Sequence, residues 1–281
     1  MSFVWSDGAL HQHETIPVSP KNRGLTLGDG LFETILAVNR VALWREEHLA
    51  RLKASAQVLG LGFPADEIAH ALDALLAAGG ENPHVLRLTL TRGATARGLG
   101  GASKEPVVIA TFDPFDTRFI GQPATLVTST LRRSTSSIAA THKTLSYADN
   151  IAAAREAEAA GADDALLLNT DGRVACTTIA NIFVVKGKRL ITPARSEAIL
   201  PGIMRGVLLA EAKALGFTAE ETTITPHEIL DADAVFLTNS LRLVRPVTRI
   251  DGKPIASGAA NSILDHLCGL AAHICQRTIL S

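Results

Sequence analysis

Apolar and polar positions recur along the chain with two different periods, which predict strands and helices. Segment 31–43 (LFETILAVNRVAL) alternates with period two up to Asn39-Arg40, which predicts a strand and a turn. Apolar residues in 45–61 and 67–79 recur every three to four positions, so each of these segments is predicted to be a helix. Segments 84–93 and 105–113 are strand-like again.

The second half of the chain also mixes the two periods. It follows a stretch with the proline and glycine punctuation of a linker, DPFDTRFIGQP. Strands mixed with helices on both sides of a linker predict an α/β (α+β) protein of two domains. The predicted parts are a domain 1–115, a linker 116–122 and a domain 123–281. Strands are expected at 124–131, 162–169, 179–185 and 233–241, and helices within 134–158, at 202–216 and from about residue 258.

Composition narrows the function classes. Hydrophobic residues make up 47% and charged residues 20% of the 281 residues, which is typical of a globular protein. The formal net charge of −1 gives no general attraction to nucleic acid or to an anionic membrane. No stretch approaches the roughly 18 continuous apolar residues of a membrane span, and the first residues show no secretory pattern. We therefore expect a cytoplasmic protein without nucleic-acid or membrane partners.

The cysteines and histidines predict neither a disulfide framework nor a metal site. There are three cysteines, an odd and widely spaced set. Segment 266–275 (HLCGLAAHIC) places two histidines and two cysteines close together in sequence. On a helix, however, the two pairs would lie on stripes about 200° apart, so they could not converge on one ion.

Lys143 is the lysine with the most unusual surroundings. It lies among hydroxyl-bearing and small residues beside His142, at what we expect to be the start of a helix, and the only tyrosine of the chain, Tyr147, follows four positions later. The other lysines lie in turn signals, in polar loops or on predicted helix surfaces. A nucleophilic lysine must be partly desolvated and commonly forms a Schiff base. From this segment alone, a reactive lysine and an ordinary lysine at a helix start both remain open.

Six segments in order carry a resemblance to a known family. Together they resemble the class IV, or fold-type IV, pyridoxal-phosphate enzymes, which include D-amino-acid and branched-chain aminotransferases, amine transaminases and aminodeoxychorismate lyases. The resemblance covers nearly the whole chain. The segments are GLTLGDGLFETI (24–35), EEHLARL (46–52), 142–174, TTIANIFVV (177–185), ILPGIMRG (199–206) and FLTNSLRLVRPV (236–247).

The resemblance implies a fold, a cofactor and an assembly. The expected fold is a small α/β domain plus a larger, barrel-like α/β domain, and the expected assembly is a homodimer. The expected cofactor is pyridoxal 5'-phosphate. By position, Lys143 matches the lysine that forms the Schiff base with this cofactor and then serves as acid and base.

The resemblance also implies the residues that hold the cofactor phosphate. Arg51 matches an arginine on the phosphate, which agrees with the bidentate fork that a guanidinium offers. The backbone N–H groups of Ile203 and Met204 match donors at a helix N-terminus, a favourable place for an anion. Met204 replaces the usual threonine, so a hydroxyl contact is lost there. Ser240 matches another phosphate-binding hydroxyl.

Around the cofactor ring, the sequence departs from the family at one position. Leu200 matches the leucine on one face of the ring, and Tyr147 a tyrosine that binds its phenolic oxygen, although the interval from Lys143 is one residue shorter here. Cys176 occupies the position of the usual glutamate at the pyridine nitrogen. A thiol with a reference pKa of about 8.5 cannot keep that nitrogen protonated as a carboxylate does, unless the thiol ionises.

Two residues match the substrate side, and the reaction type stays open. Arg97 aligns with an arginine that can hold a substrate carboxylate. Phe32 stands where aminotransferases often have tyrosine and the lyases phenylalanine. The first interpretation is an aminotransferase for a small or branched amino acid, the D-series included, and a 2-oxo acid. The alternatives are aminodeoxychorismate lyase, releasing pyruvate and 4-aminobenzoate, and a cofactor-binding homologue that has lost its activity.

Overall fold

The computed structural model describes most of the chain. The described ranges are 3–12, 15–96, 98–100, 105–256, 258, 260–276 and 279.

The first sheet is built from residues 4–114 and has six strands in the order β2-β1-β6-β5-β3-β4. All of its pairings are antiparallel, and β3 and β5 pair from Gly30 opposite Thr91 to Ala37 opposite His84. The strands are β1 (Val4–Ser6), β2 (Ala9–His11), β3 (Gly30–Val38), β4 (Val41–Ala42), β5 (His84–Thr91) and β6 (Val107–Pro114).

Three helices accompany this sheet: α1 (Arg23–Leu27), α2 (Arg45–Leu59) and α3 (Ala65–Gly79). The apolar residues of α3 recur at helical spacing and are buried against the sheet, with residues of α2, in one core. The predicted turn at Asn39-Arg40 joins β3 to β4, and both residues have the positive φ that a two-residue hairpin turn requires. The predictions for this part of the chain are confirmed.

The second sheet is built from residues 124–254 and is mixed. Its order is β12-β11-β10-β13-β14-β7-β8-β9, with β15 paired to β14. Strand β7 is parallel to both of its neighbours, and β11 is parallel to β12. The strands are β7 (Ala124–Arg133), β8 (Asp164–Asn169), β9 (Val174–Thr177), β10 (Asn181–Lys186), β11 (Arg189–Pro193), β12 (Thr218–Thr222), β13 (Ala234–Asn239), β14 (Leu243–Ile250) and β15 (Lys253–Pro254).

Helices cover this sheet. Those described are α4 (Ile138–Thr141), α5 (Ala148–Ala159), α6 (Ile203–Glu211), α7 (Pro226–Leu230) and α8 (Ala260–Cys275). The two curled sheets with their helices confirm the predicted α/β architecture. The exact division into domains 1–115 and 123–281 stays a prediction. Between the sheets, a 3-10 turn at Thr117–Phe119 lies within the predicted linker.

The segment around Lys143 differs from the prediction of a helix start. Helix α4 ends at Thr141 and α5 begins at Ala148, so Lys143 lies in the connection between two helices. Helix α8 contains the segment 266–275 with its two histidines and two cysteines. His266 there contacts Glu211 of α6, and Cys275 is buried in the core.

Within the described ranges, every helix is too short or too polar to span a lipid bilayer. The same part of the chain contains no group of three or more histidine, cysteine or acidic side chains arranged to hold a metal ion.

Candidate active site

A cavity of about 550 Å³ lies where the first sheet meets the second. Its volume falls in the range of small-molecule sites. It is lined by residues from β3, α2 and β5 on one side and by residues from the second sheet and its loops on the other. The sequence-predicted residues that line it are Phe32, Arg51, Lys143, Tyr147, Cys176, Leu200, Ile203 and Ser240.

Backbone hydrogen bonds fix the Lys143 segment onto strand β3. The N–H of Phe32 donates to the carbonyl of Lys143 at 2.9 Å, and the N–H of Leu145 donates to the carbonyl of Gly30 at 2.9 Å. A Cβ on Gly30 would lie 2.6 Å from the Leu90 carbonyl oxygen and 2.7 Å from a Leu145 side-chain carbon. Glycine at position 30 therefore allows the close approach that brings Lys143 to the cavity.

The ammonium group of Lys143 is largely removed from water. Its Nζ lies 4.2 Å from the centre of the Phe32 ring and 3.4 Å from the Tyr147 hydroxyl oxygen. Burial lowers the pKa of Lys143 to about 8, with Arg51 and Arg87 acting in the same direction and Glu33 opposing it. Because its pKa lies closer to neutrality, an appreciable share of this amine is unprotonated near pH 7 and can act as a nucleophile.

Arg51 lines the same cavity, and a buried acid orients it. Its Nε donates to Glu33 at 2.8 Å and one terminal nitrogen donates to the other Glu33 oxygen at 2.5 Å. The other terminal nitrogen reaches the carbonyl of Pro201 at 3.2 Å. The Nε edge of the guanidinium is thus used by Glu33, and only the remaining terminal N–H groups can meet a phosphate. An N–H donor remains on each of the two terminal nitrogens, so a bidentate contact of Arg51 with a phosphate stays a prediction.

Glu33 itself is fully buried and carries two partners. Its second oxygen also accepts from His48 Nδ1 at 2.7 Å. Burial alone would raise the pKa of Glu33, but the Arg51 charge and the bonds from His48 and Arg51 lower it to about 2. His48 Nε2 has no hydrogen-bond partner among the described residues. A neutral imidazole with its proton on Nδ1 leaves only a lone pair unpaired there, which costs less than an unpaired N–H.

The N-terminus of α6 faces the same end of the cavity. Its first N–H groups, those of Ile203 and Met204, have no partner inside the helix. Met204 is buried in the core and, unlike Ile203, is not among the residues that line the cavity. Gly202 is required before the helix because a Cβ there would lie 2.0 Å from Asn181 Oδ1. Asn181 also donates to the carbonyl of Leu200 at 2.9 Å, which fixes this loop.

A second loop completes this end of the cavity. Ser240 follows β13 in a turn shaped by Asn239, whose Oδ1 accepts from the N–H groups of Leu241 at 3.1 Å and Arg242 at 2.8 Å. Backbone donors, a hydroxyl and a guanidinium thus line the same cavity. This donor set suits a phosphate monoester.

At the other end of the cavity lie Tyr147 and Cys176. Tyr147 packs edge-on against Phe32, with ring centres 5.1 Å apart, and burial raises the pKa of the phenol. Cys176 lies in β9 and is buried. Burial also raises the pKa of its thiol, and the opposing charge of Arg133 does not reverse this. Both groups are therefore neutral near pH 7, and the prediction that Cys176 supplies no charge gains support.

Sequence reasoning missed two cations that line the cavity, Arg87 and Arg133. The guanidinium of Arg87 stacks 3.9 Å from the centre of the Phe32 ring, on a strand that faces Lys143. Burial lowers the pKa of Arg87, and none of the described ion pairs includes it. Arg133 donates to the carbonyls of Ala198 at 2.8 Å and Ala140 at 2.6 Å. The cavity is thus rich in positive charge and suited to anionic ligands.

Sequence reasoning also missed Glu33, although the pattern contains a signal for it. Leu31 and Ile35 share one face of β3 and lie in the first core, and the period of two places Glu33 between them. A charged side chain on an apolar face needs a partner, and Arg51 one helix away was already a candidate. The sequence provides no comparable signal for Arg87, at an exposed strand position, or for Arg133, at a half-buried one.

Arg97 lies outside the described residues. The flanking residues belong to a loop held by Arg23, which donates to the carbonyls of Gly98 at 2.7 Å and Leu99 at 2.9 Å. Asp29 accepts from Arg23 in turn, at 2.7 Å. None of the described loop residues, 94–96 and 98–100, lines the cavity of its own chain.

Comparison with known proteins identifies the family. The family model "Amino-transferase class IV" matches residues 30–250. The chain belongs to the class IV aminotransferases. It is 32% identical over 262 residues to a D-alanine aminotransferase of Bacillus licheniformis, covering 91% of each chain. Members of this family depend on pyridoxal phosphate.

Two solved structures share the fold of this class IV chain. The branched-chain aminotransferase of Thermoproteus uzoniensis, solved with norvaline, superposes with a TM-score of 0.89 at 28% identity, covering 97% of this chain and 95% of that one. A Legionella pneumophila protein named "Putative 4-amino-4-deoxychorismate lyase" superposes with a TM-score of 0.84 at 31% identity, covering 93% and 96%. The resemblance seen in the sequence is confirmed, and both reaction types occur among the similar proteins.

Proposed function

We propose that the protein is a pyridoxal-phosphate-dependent aminotransferase that moves an amino group between a small or branched amino acid, of the L- or D-series, and a 2-oxo acid. The observation that carries this proposal is Lys143, a desolvated amine that shares one cavity with phosphate-binding donors. Similarity to a D-alanine aminotransferase and to a branched-chain aminotransferase supports the substrate class.

The residues of the cavity fit the cofactor. Arg51, the N-terminus of α6 and Ser240 would hold the phosphate, and Leu200 would pack on one face of the ring. Tyr147, whose hydroxyl lies 3.4 Å from Lys143 Nζ, would hydrogen-bond the phenolic oxygen. When bound, the cofactor supplies an electron-withdrawing ring that stabilises negative charge on the substrate α-carbon.

Lys143 would attach the cofactor and then move the proton at the substrate α-carbon. A base works best when its pKa lies near the operating pH, and burial brings the pKa of Lys143 to about 8. Phe32 packs beside the amine and keeps water from that side of it. The guanidinium of Arg87 also contacts the Phe32 ring and lines the cavity. Because none of the described ion pairs includes Arg87, its charge would be free to bind the substrate carboxylate.

 We propose a homodimer in which a neighbouring subunit closes the cavity, with Arg97 as a second carboxylate-binding residue. Two observations support this: the described loop residues on either side of Arg97 do not line the cavity of their own chain, and the isoleucines at its mouth are exposed. We further propose that the enzyme acts in the cytoplasm. The exposed isoleucines that line the cavity are Ile151 and Ile179.

One observation favours aminodeoxychorismate lyase as the second candidate. Cys176 supplies no charge at the position where the family has a glutamate, and a ring with an unprotonated nitrogen withdraws electrons less strongly. An elimination that forms an aromatic product makes a smaller demand on the ring than an amino transfer does. Phe32 and the similarity to the Legionella protein agree with this alternative.

A substrate panel tests the proposed function. The purified protein is reconstituted with pyridoxal phosphate and mixed with L- and D-amino acids and with aminodeoxychorismate. Conversion of the cofactor to its amino form by an amino acid, reversed by a 2-oxo acid, is the expected result. Release of pyruvate together with an aromatic product would replace the aminotransferase by the lyase. Absence of both, with the cofactor bound, would favour a homologue that has lost its activity.

A further inference from the structure

We propose that Arg133 and Cys176 together keep the pyridine nitrogen of the bound cofactor without a proton, Arg133 through its positive charge and Cys176 by lacking a negative one. The inference rests on the proposed function, because it assumes that pyridoxal phosphate occupies the cavity. It assigns to Arg133 a role toward the cofactor that the position of Cys176 alone does not reveal.

The strand register places the two residues on one face of the second sheet. Arg133 of β7 lies opposite Asn169 of β8, and Cys176 of β9 lies opposite Leu167 of β8. Residues two apart on a strand share a face, and so do directly opposite residues on neighbouring strands. Asn169 and Leu167 therefore connect Arg133 and Cys176 across one face. Both residues also line the cavity.

Hydrogen bonds hold the Arg133 guanidinium in place. Its Nε and one terminal nitrogen donate to the carbonyls of Ala198 and Ala140, which are neutral acceptors. The described contacts include no acid paired with Arg133, so its charge is not cancelled locally. The remaining terminal nitrogen has no acceptor among the described contacts and can serve the cavity as a donor.

The other charged groups around Cys176 do not cancel the positive charge of Arg133. Asp164 is buried on β8 and accepts bonds from the Thr178 hydroxyl at 2.5 Å and from two backbone N–H groups. Its effect on the Cys176 thiol is opposite to that of Arg133 and smaller. Glu197, beside Ala198, is neutralised by Arg173 at 2.6 Å and also accepts from Asn169.

The neutral neighbours agree with the same conclusion. Burial raises the pKa values of Tyr147 and Cys176, so neither supplies a negative charge near pH 7. A positive charge disfavours the protonated form of a nearby base, and a neutral thiol can at most donate a weak hydrogen bond to an unprotonated nitrogen. This end of the cavity therefore favours the unprotonated form of the pyridine nitrogen.

The test is ¹⁵N NMR of the protein reconstituted with pyridoxal phosphate labelled at the pyridine nitrogen. The chemical shift reports directly whether the nitrogen carries a proton, independently of activity. In the wild-type protein we expect an unprotonated nitrogen throughout the neutral range. Cys176→Glu should give a protonated nitrogen, whereas Cys176→Gln, of similar size but without charge, should not. A protonated nitrogen in the wild-type protein would overturn the inference.

The contribution of Arg133 is read from the pH at which the nitrogen takes up its proton. Arg133→Gln should raise this pH by about one unit or more, as expected for the loss of a nearby charge. Arg133→Lys retains the charge and should stay close to the wild type. Arg87→Gln removes a cavity cation from the opposite wall and should also leave the titration unchanged. Equal titrations of Arg133→Gln and Arg133→Lys would remove Arg133 from the inference.

Two outcomes separate this inference from the proposed function. Failure to bind the cofactor, seen in the absorption spectrum before any NMR measurement, overturns both. A bound cofactor with a protonated nitrogen overturns the inference alone. If Arg133→Gln does not fold, the rate of Cys176 alkylation in the wild-type protein, followed against pH, still tests whether the thiol is neutral. A thiol that ionises at a higher pH than that of a free cysteine agrees with a neutral Cys176, and a thiolate at neutral pH contradicts it.

Discussion

The two ends of the cavity differ in how they treat charge. At the phosphate end, Arg51 is fixed by the buried Glu33, which also accepts from His48, and the N-terminus of α6 lies beside it. At the end of Cys176, the charges that act on the thiol are that of Arg133 and, more weakly, that of Asp164. Several independent contacts define the phosphate end, whereas at the second end a single residue, Cys176, differs from the residue usual in the family. Anchoring of a ligand can therefore persist while the chemistry of its other end changes.

The comparison also shows why burial has opposite consequences at the two ends. Glu33 stays ionised although it is buried, because two hydrogen-bonded partners overcome the cost of desolvation. Cys176 has no such partner, and burial keeps its proton in place. Between them, Lys143 experiences desolvation partly offset by Glu33. The charge state of each group is decided by its partners more than by its depth.

Removal of Lys143 should have the largest effect, because both ends of the cavity serve this amine. Lys143→Ala should abolish covalent attachment of the cofactor and reduce turnover by about 10²–10⁴-fold or more, the contribution expected of a positioned acid and base. Borohydride reduction followed by peptide mapping should locate the cofactor on Lys143 in the wild-type protein. Lys53→Ala, at an exposed position of α2, is the matched control. A reduced label on any other lysine would contradict the assignment.

Disruption of the phosphate end should have the next largest effect, a loss of folding stability. Glu33→Gln leaves Arg51 as a buried charge without its partner and should lower the free energy of unfolding by about 3–5 kcal/mol in denaturant titrations. Glu220→Gln breaks a surface pair with Arg189 and should change little. Equal effects of the two substitutions would show that the buried pair contributes no more to the free energy of unfolding than the surface pair.

The same acid predicts a pH dependence. The pKa of Glu33 is lowered from 4.5 to about 2 on folding, so its contribution to stability is present above pH 4.5 and is lost as the pH falls from 4.5 toward 2. The wild-type protein should lose stability across that range, and Glu33→Gln should lose less of it. Parallel pH profiles for the two proteins would contradict the depressed pKa.

Substrate affinity should respond to the arginines that bind carboxylates. Arg87→Gln should raise the KM for a 2-oxo acid by about 1.5–3 kcal/mol in binding terms, the range for a hydrogen bond to a charged group, without changing the cofactor spectrum. We expect Arg97→Ala to raise it in the same way if a neighbouring subunit closes the cavity. In that case, mixed dimers of Arg97→Ala and Lys143→Ala should retain one intact site. Unchanged kinetics in a variant would assign its arginine to the surface.

The smallest effect is expected at the end of Cys176. Cys176→Ala removes a neutral group and should change either activity little, while Cys176→Glu should speed amino transfer more than elimination. Single-turnover absorption measurements with an amino acid distinguish the two variants. Loss of activity in Cys176→Ala with the cofactor still bound would make the thiol itself essential.

Much of the fold could be predicted from the sequence because its longest elements have clear periods. Helices α2 and α3 and strands β3 and β5 follow directly from the apolar pattern. The short strands β1, β2, β9 and β12 escaped prediction because three to five residues carry too little periodicity. Strand β14 also escaped, since Arg245 and Pro246 interrupt its alternation.

The sequence by itself determined the family, the order of the motifs and the candidacy of Lys143 and Arg51. Only tertiary structure decided which charged and titratable side chains lie next to one another. Glu33 and Arg51 are 18 residues apart, and only packing of α2 on β3 brings them together. Arg133 and Cys176 share a sheet face through the register of three strands. Helices and strands depend on residues that are near in sequence, whereas charge states depend on burial and on partners that are distant in sequence.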